Sequence, residues 1–166
     1  AIVRSIAFVP DSTELLIARS NGQILSVDGA VARAERPGAL SASTWTQLDT
    51  SPQNWAFSHD GRRLAVACAD DVIRVFDTQS RATLHRLERV GGALVLAYHP
   101  RDDLLLARTV DNRLLLFDAE AGELVTQWSV GPSRARPILI WSDEGEAVVI
   151  NEGDAVYELR FAVADE

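Results

Sequence analysis

His59, His85 and His99 are the only imidazoles in the chain, and no two of them have the spacing of a metal-binding pair. Ser58, His59 and Asp60 supply the residue types of a hydrolase triad. Neighbours on one turn cannot present nucleophile, base and orienting carboxylate in relay geometry. His59 and His99 sit just after the aromatic residues Phe57 and Tyr98, which suits a turn role, and His85 among Arg81, Arg86 and Arg89 reads as a solvated side chain. The carboxylates Asp102, Asp103, Asp143, Glu144 and Glu146 could do acid-base work or hold calcium; base rates favour solvated loops and an acidic rim. Gly61, Gly91, Gly92 and Gly145 are turn punctuation with no phosphate loop among them. The single cysteine, Cys68, ends an apolar run and reads as an inert buried thiol. No catalytic residue, metal or cofactor is expected.

The elements that would position these groups must form within 166 residues, a length that accommodates one domain with a core of its own. Apolar residues make up 47% and charged residues 24%, the proportions of a globular chain and not of a disordered one. The net charge of -8 opposes the field that nucleic acid or an anionic membrane requires, so neither is expected as a partner. No apolar run is long enough for a spanning helix and no basic-then-apolar leader opens the sequence, from which a cytoplasmic location is expected. Methionine is absent even at position 1, as in an excerpt of a longer polypeptide, and every basic residue is arginine.

Apolar residues fall in short runs broken by Gly, Pro, Asn, Asp and Ser, the pattern of many short strands. Thirteen runs stand out, from 3–9 to 155–159, and the best helix candidate, 80–90, also suits an exposed edge strand. Four segments align without a gap on the aromatic anchors Phe8, Phe57, Tyr98 and Trp141, at intervals of 49, 41 and 43 residues. That interval is the one expected of propeller blades, which must stack on neighbours to bury their faces. Thirteen residues after each anchor stand Asn21, Asp70, Asp111 and Asp154, each between two apolar runs where a hairpin turn is needed. The eight surplus residues of the first interval fit an extended loop within 29–43.

Phe57 through Gly61, the turn at Asp70 and Asp71, and the closing Phe76-Asp77 resemble the anchor, tight turn and terminal Trp-Asp of the WD-repeat β-propellers. The Gly-His pair of that family is missing from 51–54, 90–93 and 131–136, which resembles divergent, prokaryotic-type repeats. The resemblance implies an all-β propeller, or a four-blade arc of a larger ring, forming a single domain over 1–166 with blades at about 1–49, 50–89, 90–130 and 131–166. It implies a non-catalytic scaffold that binds partner proteins or other domains of its parent chain. The competing reading is an enzyme or sugar-binding propeller with a central-channel site. An open arc exposes two blade faces, so more of the same polypeptide, a partner, or a homodimer giving eight blades is expected to cover them.

The loops entering the first strands carry Arg4, Arg89, Arg134 and Arg136, expected on one face with the turn residues Asn21, Asp70, Asp111 and Asp154. Guanidinium groups beside carboxylates suit protein recognition or neutralise one another. Trp128 and Trp45 fall in presumed outer strands, where a partly exposed indole is a candidate anchor, while Trp55 and Trp141 share the anchor parity and pack between blades.

Overall fold

The computed structural model describes residues 1–29, 41–88, 90–132 and 136–161. The chain folds into four antiparallel sheets in sequence order. The first is β1 (Val3–Phe8), β2 (Glu14–Arg19), β3 (Gln23–Asp28) and β4 (Ala42–Gln47); the second is β5 (Pro52–Phe57), β6 (Arg63–Cys68), β7 (Ile73–Asp77) and β8 (Thr83–Leu87). The third is β9 (Ala93–Tyr98), β10 (Leu104–Thr109), β11 (Arg113–Asp118) and β12 (Glu123–Ser129). The fourth has three strands, β13 (Leu139–Trp141), β14 (Ala147–Glu152) and β15 (Ala155–Arg160). Each sheet is an up-and-down meander, and the first strands lie side by side, β1 against β5, β5 against β9 and β9 against β13. This is an all-β array of propeller blades.

Blade stacking explains the sequence pattern. The middle strands are covered on both faces, so they read as continuous apolar runs such as Leu64 to Cys68 and Leu105 to Ala107, all buried. Alternate residues serve alternate neighbours. In the third blade Leu105, Leu115 and Phe117 pack toward Ala67, Ile73 and Val75 of the second, while Leu106, Leu114 and Leu116 pack toward Leu139, Val148 and Ile150 of the fourth. Leu16, Ile24 and Trp45 meet Leu64, Val66 and Phe76 between the first and second blades, with Trp45 set edge-on to Phe76 at 5.7 Å. Each fully buried Leu or Ile contributes about 1.5–3 kcal/mol, and none finds that cover inside its own blade.

Short polar devices align the seams at the turns between first and second strands. Ser58 Oγ accepts from Arg63 N and donates to Asp60 Oδ1 at 2.6 Å, while Ser142 Oγ accepts from Ala147 N. Ion pairs cross from blade to blade, Arg63 to Asp103 and Arg101 to Glu144. His99 is buried, stands edge-on to Trp141 with ring centroids 4.7 Å apart, and its Nε2 donates to the Gly145 carbonyl at 3.2 Å. Its Nδ1 lies 2.9 Å from Asp102 N and 3.2 Å from the Asp102 carboxylate. His85 is half-buried against Gly122 of the next blade, a correction to its reading as a solvated side chain.

Three other expectations change. Residues 83–87 form β8, so the helix candidate is a strand, and β4 and β8 bring the strands among the described residues to fifteen. Trp45 is only 4% exposed, because its strand bulges it toward Phe76 of the second blade. The fourth repeat is not gap-free. The residue eight after the anchor pairs with the residue eighteen after it at Leu16 and Ser26, Ala65 and Val75, and Leu106 and Leu116, whereas Val149 pairs with Glu158, one position earlier. The β14–β15 hairpin has lost one residue.

Candidate functional site at the hub mouth

The first strands converge on a cavity of about 480 Å³ lined by Arg4, Ser5, Gln53, Asn54, Leu94, Val95, Arg136 and Pro137. A repeated backbone irregularity builds it. Pairing of β1 with β2 slips between Val3 and Ser5, pairing of β5 with β6 between Pro52 and Asn54, and pairing of β9 with β10 between Ala93 and Val95. The skipped residues are Arg4, Gln53 and Leu94, each four before its anchor, and Pro137 holds that position in the fourth blade. A bulge removes one residue from the ladder and re-aims its side chain, here toward the hub.

Polar chemistry at this mouth comes from two cations, a hydroxyl and two amides. Asn54 Oδ1 accepts from Leu96 N at 3.0 Å, tying the second blade to the third. Arg4 and Arg136 are exposed, and among the described residues neither guanidinium makes a hydrogen bond or ion pair. Arg74 and Arg113 behave differently. Arg74 grips Asp70 with both terminal nitrogens, at 2.9 and 2.6 Å, and Arg113 Nε meets Asp111 at 2.7 Å. The Arg74 hydrogen bond holds the Asp70 carboxyl below its ordinary range against desolvation, and the same contact raises Arg74. At Asp111 the Thr109 hydroxyl is the first cause of the lowering and Arg113 a lesser one. These turn carboxylates are therefore neutralised by arginines of their own blades, and Arg4 and Arg136 are left to face the cavity.

The four turn residues stand between second and third strands. Positive φ falls on the following residue in three blades, at Gly22, Asp71 and Asn112, with values of 86, 59 and 60°. In the fourth it falls on Gly153 at 57°, before Asp154, in keeping with the shortened hairpin. Asn21 Oδ1 accepts from Gln23 N, and its backbone carbonyl accepts from Gln47 Nε2 at 3.0 Å. Trp128 is 37% exposed with its ring 5.6 Å from Phe161, and it is not among the residues that line the hub cavity. Arg89 and Arg134 lie outside the described residues.

Sequence reasoning missed Gln53 and Asn54 at the mouth, and it missed Arg108. Arg108 is 1% exposed, and its nitrogens donate to the Asn151 carbonyl at 2.6 Å, Asn151 Oδ1 at 3.1 Å and the Gly131 carbonyl at 3.0 Å. Asn151 also accepts from Ile138 N and donates to the Arg136 carbonyl, which anchors the backbone just before β13. The signal was present: aligned positions in the first two repeats are Ala18 and Ala67, so an arginine there must cross to the next blade. Cys68 is buried, with its thiol pushed upward by desolvation. Among the described residues no group of three or more His, Cys, Asp or Glu could hold a metal ion, and no helix is long and apolar enough to cross a membrane.

Four-stranded meanders stacked about a common set of first strands, with polar groups gathered at the hub mouth, define a WD40-type repeat module, a class whose typical work is protein interaction and scaffolding. Residues 6–93, over half of the chain, match the family described as the anaphase-promoting complex subunit 4 WD40 domain, and the chain belongs to that family. It is also 34% identical over 62 residues to the U5 small nuclear ribonucleoprotein 40 kDa proteins of Mus musculus and Bos taurus. That stretch covers 37% of this chain and 17% of each relative's length. The expected cytoplasmic location is corrected by these relatives, which by name are components of a small nuclear ribonucleoprotein.

Proposed function

We propose that the chain is a docking platform whose hub mouth receives an acidic segment of a partner protein or of another domain of its parent chain. The observation that carries this is the pair Arg4 and Arg136, uncompensated among the described residues of a chain with net charge -8, facing one cavity with Gln53 and Asn54. Guanidinium forks beside amides recognise carboxylates through charge-assisted, geometrically specific hydrogen bonds. Arg89 and Arg134 belong to the same reading by their positions in the entering loops.

The same reading treats 1–166 as one unit of divergent, prokaryotic-type repeats with blade boundaries near 49, 89 and 130. The exposure of Ile6 and Phe8 on the first blade and of Ile140 and Val156 on the fourth supports cover from further blades, by the same polypeptide or by a second copy completing eight. Calorimetric titration of a Glu-rich octapeptide, with its Gln counterpart as control, tests the docking proposal. Binding of the acidic peptide alone, lost in Arg4→Ala/Arg136→Ala, is expected; equal binding of both peptides, or no effect of the double substitution, refutes it.

A further inference from the structure

In the first three blades the residue three before the anchor is Ser5, Asn54 or Val95, and all three line the hub cavity. Asn54 alone of these is an amide. It follows the skipped residue Gln53, so the bulge that releases Gln53 from the ladder leaves Asn54 paired with Ala67 and its side chain beside β9 of the next blade. There Asn54 Oδ1 accepts from Leu96 N at 3.0 Å. The bond spans the interior seam between the second and third blades, with a further blade on either side of the pair.

That bond decides which end of the amide is left for the mouth. A backbone N–H only donates, so the Asn54 atom that meets Leu96 N must be the carbonyl oxygen, and the amino group is the end that remains. Among the described residues Asn54 Nδ2 makes no hydrogen bond. An asparagine free to turn would offer donor or acceptor as a ligand required, whereas Asn54 is committed to donating. Arg4 and Arg136, exposed on the same lining, also only donate. Their guanidinium forks ride on long side chains, while Asn54 is short, half-buried and held at its oxygen.

We infer that Asn54 is the specificity-determining residue of the mouth, the fixed donor that selects a carboxylate over the amide of the same shape, a role that rests on the acidic-segment reading of this cavity. A carboxylate accepts on both oxygens, so one meets Asn54 Nδ2 while the other meets an arginine fork. A Gln or Asn side chain has one oxygen to give and turns its own amino group toward the second donor, leaving two donors face to face and unpaired. Charge alone also prefers the carboxylate, but the pull of exposed charges is screened by salt, and the mismatch of donor against donor persists. The arginines supply attraction, and Asn54 supplies the choice.

The Glu-rich octapeptide and its Gln counterpart are titrated into the wild-type chain, Asn54→Asp and Asn54→Ala, at low salt and at 1 M salt, where the screening length is about 3 Å. Asn54→Asp keeps an oxygen for Leu96 N and adds a charge, whereas Asn54→Ala adds no charge and gives up that bond. Loss of the Nδ2 donor is what the two share. The wild type is expected to prefer the Glu peptide by at least about tenfold at 1 M salt, and both variants to fall to within about threefold. Asn54→Asp is expected to match the wild type in urea midpoint and in hydrogen exchange at the Leu96 amide; an unfolded chain or an exposed Leu96 amide would contradict the orientation of the side chain. Wild-type binding or preference that disappears at 1 M salt, or a preference that either variant retains, overturns the role of Asn54 and leaves the docking reading standing. Failure of the wild type to bind the Glu peptide at low salt overturns both.

Discussion

Replacing Gly145 by Ala isolates the seam between the third and fourth blades, because Gly153 provides a matched control. Both glycines have positive φ, 80° and 57°, so an added Cβ costs about 1–2 kcal/mol of left-handed strain at either. Their surroundings differ. A Cβ at Gly153 meets nothing within 4 Å, whereas one at Gly145 overlaps Nε2 of the buried His99 ring. Relief requires the ring to move. That breaks the bond to the Gly145 carbonyl, about 0.5–1.5 kcal/mol, and the edge contact with Trp141, about 0.5–1.5 kcal/mol. Gly153→Ala is expected to cost about 1–2 kcal/mol and Gly145→Ala about 2–5 kcal/mol. In a chain of this size that difference separates the thermal midpoints by several degrees, at roughly 2–4 °C per kcal/mol. Urea titration followed by tryptophan fluorescence measures both. Equal destabilisation would show that the His99 seam does not hold the blades in register.

Arg108→Ala removes three donors and leaves a buried hole between blades, with an expected loss of about 2–4 kcal/mol in urea titration, and Arg108→Met, which keeps the volume, is expected to lose less. Asp70 and Asp111 have lowered folded pKa values, so their stabilisation is complete above the unfolded carboxylate value of about 3.9 and disappears as pH falls through the folded ones. The urea midpoint should fall on acidification below about pH 4, and less steeply in Asp70→Asn/Asp111→Asn. Cys68, 3% exposed with a raised thiol pKa, should react with a thiol reagent only at the rate of unfolding; fast labelling of the native chain would contradict its placement.

The stacking of the blades was legible because burial on both faces leaves a strong imprint. Runs such as Leu64 to Cys68 repeat at about the blade interval, and their anchors mark each first strand. Outer strands left a weaker one: β8, reading Thr-Leu-His-Arg-Leu, is half exposed and mixes polar with apolar residues, so it passes for a helix as readily as for an edge. The missing residue of the last hairpin was hidden because the gapless alignment still brought Asp154 under Asp111. It was betrayed only by the charges Glu158 and Arg160, which that alignment set opposite the buried Leu115 and Phe117. The hub mouth was half legible. Arg4 and Arg136 stood out as charges at strand entrances, but Gln53 reaches the cavity through a bulge, and a bulge leaves no periodic trace.

Hydrogen exchange with the Glu-rich octapeptide bound tests most directly whether four like blades present one docking mouth. Protection is predicted together at residues 4–5, 53–54, 94–95 and 136, positions far apart in sequence that meet only at the hub. Protection confined to one blade, or none, would contradict it.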